Sequence, residues 1–308
     1  MLTRKKVLLA KIETTYGTDA TPAATDAILT KNLSITPYDG NTVQRNIDRP
    51  TLGNDISINV APNIKVSFDV ELAGSGTAGN APAWGSLLRA CGFSETVNAG
   101  TDVVYAPVST GFESVTMHYE QDGQLHKVVG ARGTVSFELT AGGLPAMKFN
   151  FTGLYQKPVA GTLVADLSAF QIPVPVTKVN TPTYSIHGYS AIATGLTLDM
   201  ANNVLHRNVI GEEAVKITDR APRGQLTLDA PTLAEKDMFA LVESHAGVTT
   251  GAIQVVHGTA AGNIIQLDAP KTQLQTISPT DLDGQFGYQI DVSYMPSAGD
   301  DEVTITVK

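Results

Sequence analysis

At 308 residues the chain has room for two domains of about 150 residues each. Hydrophobic residues make up 42% and charged residues 17%, which excludes both a disordered polar chain and one that lives in lipid. The net charge of −9 is lopsided, −1 through residue 160 and −8 beyond it, so a basic patch that grips phosphate is not expected.

The basic start, Thr3-Arg-Lys-Lys6, leads into only four apolar residues before Lys11, too short for a secretory signal. No stretch approaches the roughly 20 apolar residues of a membrane helix, so membrane insertion is not expected. Cys91 is the sole cysteine and has no internal partner, which fits folding in a reducing cytoplasm. Beyond an N-terminal arm, residues 1–29, period-two alternation takes over. It runs through Leu33 and Ile35, then Ile56, Ile58 and Val60, then Val66, Phe68 and Val70. Val115, Met117 and Tyr119 repeat it, as do Val135, Phe137 and Leu139. This is the pattern of half-buried antiparallel strands and predicts a mainly β protein. Asp39-Gly40 and Asp122-Gly123 are expected to be hairpin turns, since both residue types tolerate positive φ.

One segment breaks the rhythm. Trp84, Leu87, Leu88 and Cys91 fall at i, i+3, i+4 and i+7, one face of a short helix, with Pro82 suited to its first turn and Gly92 to its end. Met238, Leu241, Val242 and His245 repeat that spacing, and Thr232-Leu-Ala-Glu235 before them predicts a capping box.

The two helices belong to a longer correspondence. Asp39 to Ile47 resembles Ala201 to Val209, both ending in Arg-Asn and a β-branched residue. Ala61-Pro62 before Val66, Phe68 and Val70 resembles Ala221-Pro222 before Leu226, Leu228 and Ala230. Met147, Phe149, Phe151 and Tyr155 correspond to Phe286, Tyr288, Ile290 and Tyr294. Blocks matching in order predict an internal duplication: copy 1 over residues 30–160 and copy 2 over 181–296, joined by a proline-rich linker, 161–180. A last strand at 297–308 has no counterpart and either pairs with a neighbouring subunit's open edge or closes its own sheet.

Chemistry is sparse. Gly74-Ser-Gly-Thr-Ala-Gly79 has the G-x-G-x-x-G spacing of a dinucleotide loop, but the strand before it alternates instead of being apolar throughout, Pro82 places the helix start beyond the glycines, and Asp229-Ala-Pro-Thr232 in copy 2 has no glycine. A flexible connection is the plain reading, and no cofactor is implied. Six scattered histidines lack zinc-site spacing, Cys91 reads as core, and Glu212-Glu213 and Asp300-Asp301-Glu302 read as solvated charge. No catalytic residue is assigned, and an enzyme is not expected.

The chain resembles the phage tail tube proteins, or major tail proteins, of long-tailed phages. The likeness is carried by the opening Thr3-Arg-Lys-Lys6 and Thr15-Tyr-Gly-Thr-Asp19, by Ser34-Ile-Thr-Pro37, Val70-Glu-Leu-Ala-Gly-Ser-Gly-Thr-Ala-Gly79, Leu87-Leu-Arg-Ala-Cys-Gly92, Pro107-Val-Ser-Thr-Gly-Phe-Glu113, Gly130-Ala-Arg-Gly-Thr134, Phe151-Thr-Gly-Leu-Tyr155, Val256-His-Gly-Thr259 and Leu267-Asp-Ala-Pro-Lys271. It implies, for each copy, a β-sandwich or barrel-like unit with one flanking helix and a long hairpin reaching the adjacent ring. The hairpins map to about residues 39–64 and 201–223, with Arg45, Asn46, Arg49, Arg207 and Asn208 as candidate inter-ring contacts. The same resemblance implies a virion tail component assembled in the host cytoplasm from stacked rings. Its partners would be further copies of itself, a tape measure protein in the lumen, tail-end and terminator proteins, and DNA in transient passage, the tail being of the non-contractile kind. Two copies per chain make three chains a pseudo-sixfold ring. The other readings are a six-chain ring with one unit as outer decoration, and a β-sandwich carbohydrate-binding or adhesion module.

Overall fold

The computed structural model describes residues 2–308 and is mainly β, with antiparallel pairing throughout and two short helices. The N-terminal half contains β1 (Lys6–Ile12), β2 (Lys31–Asp39), β3 (Thr42–Gln44), β4 (Ser57–Asn59), β5 (Asn63–Glu71), α1 (Gly85–Ala90), β6 (Phe93–Asn98), β7 (Asp102–Pro107), β8 (Val115–Gln121), β9 (Gln124–Thr140), β10 (Ala146–Leu154) and β11 (Val159–Ala160). After residues 161–182, which carry no helix or strand, come β12 (Thr183–Ile186), β13 (Tyr189–Ser190), β14 (Ala193–Asp199), β15 (Asn202–Val209), β16 (Glu212–Arg220), β17 (Arg223–Asp229), α2 (Met238–Val242), β18 (Gly251–His257), β19 (Ile265–Leu282), β20 (Gln285–Tyr294) and β21 (Thr304–Val307).

Each half folds about one long strand. The first part of β9 pairs with β8, which pairs with β1, and its last part pairs with β10, followed by β5 and β2. In the C-terminal half β19 pairs first with β18, which pairs with β12, and then with β20, followed by β17 and β14. The order β1-β8-β9-β10-β5-β2 thus recurs as β12-β18-β19-β20-β17-β14. A strand shared by two layers must bend, and register shifts mark the bends, between Thr152 and Leu154 opposite β9 and between Leu274 and Ile277 in β19. Val66, Phe68, Val135, Phe137, Phe149 and Phe151 fill the space between the layers of the first half, and Leu226, Leu228, Ile290 and Val292 that of the second. The layers form no closed barrel within the chain.

The halves are joined edge to edge. β9 pairs with β14, Ser136 opposite Asp199 and Thr140 opposite Gly195, so one sheet runs β2-β5-β10-β9-β14-β17-β20-β19 across the molecule. β21 fills a second seam, paired with β7 on one side and β19 on the other. The C-terminal strand therefore lies within its own chain and is not an addition to a neighbour's edge.

Local chemistry explains several details. Asp122 and Gly123 hold φ of 46° and 93° in the two-residue turn between β8 and β9, as expected of a primed hairpin turn. Asp39-Gly40 does not make a hairpin turn: β2 pairs with β5 and not with β3, and at Gly40 the chain leaves the sheet for the β3–β4 hairpin. Trp84 and Cys91 flank α1 as its N- and C-caps and, with Leu87 and Leu88, are buried. The second helix is shorter than its spacing suggests. Met238 is buried and Leu241 and Val242 are half-buried, but Glu243 turns extended at ψ 125°, leaving His245 beyond the helix and exposed. The Thr232–Glu235 box forms, with Thr232 N donating to Glu235 Oε2 at 3.0 Å and Glu235 N to Thr232 Oγ1 at 3.3 Å, yet it closes a turn ahead of the helix. The cap of α2 is Asp237, which accepts from Ala240 N at 3.0 Å.

Candidate functional site: the hairpins and the polar face of the long sheet

Both hairpins leave the same end of the long sheet. In β15–β16 the base is tied to the N-terminal half. Asn202 donates through Nδ2 to the carbonyls of Cys91 and Gly133, at 2.7 and 3.0 Å, and Val215 N donates to the Tyr16 hydroxyl at 2.6 Å. The Arg132 guanidinium donates to the carbonyls of Phe112, Glu113 and Val215 while lying 4.9 Å from the Tyr16 ring centroid. Burial pushes the Tyr16 hydroxyl above the ordinary tyrosine range, so it stays neutral and can both donate and accept. Arg220 closes the base, bonding Val108 O at 2.9 Å and the carboxylates of Glu302 and Asp300 at 2.9 and 3.1 Å. Tyr16, Arg132, Asn202 and Arg220 escaped the sequence reading because their partners, main-chain groups and for Arg220 also two carboxylates, lie far along the chain, which no spacing reveals.

The five expected contact residues lie within the β3–β4 and β15–β16 hairpins, which are shorter than the mapped stretches. Arg45 and Asn46 lie beyond β3, exposed. Arg49 is ion-paired with Asp55 and donates to Asn54 O at 3.3 Å, within its own hairpin. On β15, Arg207 approaches Glu212 at 3.8 Å and Asn208 donates to Glu213 at 3.2 Å. Arg45 has no ion pair among the described residues.

Alternation gives the long sheet one apolar and one polar side. The polar side carries Asp69, Glu71, Glu138, Asp199, Asp229 and Asp291 against Lys31, Lys65, Lys148 and Arg223. Three of the cations are neutralised locally, Lys148 by Glu138 at 2.5 Å, Lys65 by Asp39 at 2.6 Å and Lys31 by Glu71. A groove of about 500 Å³ crosses the β9–β14 junction on this side, lined by Glu138, Asp199 and Asp291 together with Lys148, Arg223 and Gln225. Hydrogen bonds from Thr276 and Gln225 hold the Asp291 carboxyl below its usual range, so it is ionised at neutral pH.

The glycine loop serves the seam between halves. Gly74 N donates to Asn263 Oδ1 at 2.7 Å and Gly76 N to Gly262 O at 2.9 Å, so two amides that a phosphate would require already have protein partners. A Cβ on Gly74 would overlap the Gly262 carbonyl. Gly74→Val is therefore expected to destabilise the chain by about 1–3 kcal/mol, read as a lowered Tm. Among the described residues no three His, Cys, Asp or Glu side chains converge on a metal-binding group, and no helix is long and apolar enough to cross a membrane.

The buried histidines make stability pH-dependent. Burial lowers the pKa of His118, His126, His187 and His257 below the free value. Below about pH 6.5 the unfolded chain then binds protons that the folded chain resists. Stability is full above that pH and declines as pH falls through it, so Tm measured at pH 5 is expected below that at pH 7.5.

A family model described as phage tail tube protein matches residues 3–303. A comparison with curated proteins finds no match.

Proposed function

Because the chain belongs to the phage tail tube protein family, we propose that it is the ring-forming subunit of a non-contractile tail in which three chains make each ring. Family membership makes it a structural component of the virion tail that assembles into a tube. The single observation that carries the three-chain reading is the β9–β14 junction. β2 is the counterpart of β14 and the last part of β19 that of β9, and each is paired on one side only, by β5 and by β20. Repeating the internal junction between chains, β19 of one against β2 of the next, is a head-to-tail contact that closes when the rotation divides the circle. Both halves then line the ring equally, which favours three chains over six with one unit decorating the outside.

The recurring pairing order supports an internal duplication, with units at 30–160 and 181–296 and with β1, ahead of residue 30, joining the first unit as the counterpart of β12. The polar sheet side faces the lumen, where Asp199, Asp229 and Asp291 repel a duplex that carries a charge about every 1.7 Å, letting it slide past without sticking. A tape measure protein occupies the same channel before DNA, and terminator and tail-end proteins close the stack. The tips bearing Arg45, Asn46, Arg49, Arg207 and Asn208 reach the next ring. Assembly takes place in the host cytoplasm.

Electron microscopy of the concentrated protein tests this reading: hollow tubes are expected, and compact monomers at every concentration would refute it. A lumen prediction follows. Asp199→Lys with Asp291→Lys is expected to leave tubes intact but slow DNA ejection at low salt, an effect that weakens as salt rises.

A further inference from the structure

The two hairpins have opposite surroundings within one chain. β15–β16 rests on the N-terminal half with Val215 and Ile217 buried. β3–β4 leaves the equivalent position in the sheet, yet residues 41–54 are all exposed. Alternation sets Ile56, Ile58 and Val60 on one side of this ribbon, and the pairing of Val43 with Ile58 adds a fourth. These four are 49–63% exposed. A two-stranded ribbon with nothing beneath its apolar face is marginal in water, so this face calls for a cover.

The internal seat shows where the cover lies. After Asp199, the last residue of β14 paired with β9, Met200 N donates to Val135 O at 3.0 Å and Asn202 N to Thr134 Oγ1 at 3.1 Å, and the hairpin then settles beside Arg132 and Gly133. Matching the pairings, Phe149 opposite Val135 and Tyr288 opposite Pro279, places the corresponding stretch of the C-terminal half at Gln275 to Ser278, the bulged part of β19. There the surface is open: Gln275, Thr276 and Ser278 are exposed, and a cleft of about 300 Å³ runs from Gln275 past Ser293, Tyr294 and Pro296 to Pro222, Arg223 and the Arg220–Glu302 pair.

We propose that the base of the β3–β4 hairpin of each chain lies in this cleft of the adjacent chain in the same ring, with Val43, Ile56, Ile58 and Val60 turned onto it. The occupant is a second copy of this chain, because β2 leads directly into the hairpin: once β2 lies on the neighbour's β19, the ribbon can only continue over Gln275 to Ser278. The proposal rests on the ring reading above. The hairpin's outer loop, with Arg45 and Arg49, stays free to meet the next ring.

The test uses the full chain carrying Val43→Cys and Gln275→Cys, joined by a short bismaleimide, since Cys91 is fully buried and unreactive. Denaturing gels are expected to show covalent products of two and three chains and none longer, and an equal mixture of the two single variants to give dimers only. Ile58→Asp is expected to abolish ring formation while leaving the Tm of the monomer unchanged, because Ile58 is exposed within the chain. Cross-linking confined to one chain, or ladders longer than three, would overturn the proposal, the latter by placing the hairpin between rings. Rings seen by microscopy without cross-links would overturn the seat and spare the ring, whereas protein that never assembles would overturn both.

Discussion

Arg132→Ala is expected to lower the stability of the folded chain by about 3–5 kcal/mol, the largest loss from any single side chain outside the apolar core. The guanidinium reaches the carbonyls of Phe112, Glu113 and Val215 at 2.6, 3.1 and 2.8 Å. A hydrogen bond from a charged donor contributes about 1.5–3 kcal/mol, and removing the donor leaves its acceptors without partners in a half-buried site. Because the Val215 carbonyl belongs to the second hairpin, the loss also loosens that hairpin from the N-terminal half. Calorimetry should show a Tm lower by roughly 10 °C, using about 2–4 °C per kcal/mol for chains of this order of size. Arg132→Lys is not expected to rescue it, since one ammonium cannot span three carbonyls the way a planar fork does. An alanine variant with unchanged Tm would mean that the clamp contributes nothing.

Removing Val303 to Lys308 is expected to be more damaging still. Val303, Ile305 and Val307 are 0, 0 and 2% exposed, and burying each such side chain contributes about 1.5–3 kcal/mol, so about 5–9 kcal/mol is lost before any hydrogen bond is counted. The truncated chain also bares the edges of β7 and β19, which β21 covers on both sides. Bare edges recruit other chains, so the expected product is aggregated protein, with rapid amide exchange in β6, β7 and the start of β19 in whatever stays soluble. Soluble truncated protein that melts at the temperature of the full chain would contradict this role.

Much of the strand pattern was legible because one layer face is wet and the other dry. Val66, Phe68 and Val70 announced β5, and Val135, Phe137 and Leu139 announced the end of β9. Phe149 and Tyr288, aligned with each other in the sequence, pair with Phe68 and Leu228, two residues that the sequence also aligns. Asp39-Gly40 misled because turn residues specify a local backbone and not the strand that follows them; the nearest strand in sequence, β3, belongs to a different ribbon. His245 misled because helical spacing carries no stop signal, and the chain turned extended at Glu243 before reaching it. The acidic residues of the polar sheet side could not be chosen from sequence, since that requires knowing which strands share a sheet. Hairpin anchors such as Arg132 and Tyr16 were out of reach for the same reason: their partners lie up to 199 residues away, as Tyr16 does from Val215.

The most direct test of the central claim is a reconstruction of the assembled tube from electron micrographs, read for the number of chains per ring and for the strand beside β2. Three chains, with β2 of each paired to the last part of β19 of its neighbour, is the predicted result. Six chains per ring, or rings in which β2 and β19 stay apart, would contradict it.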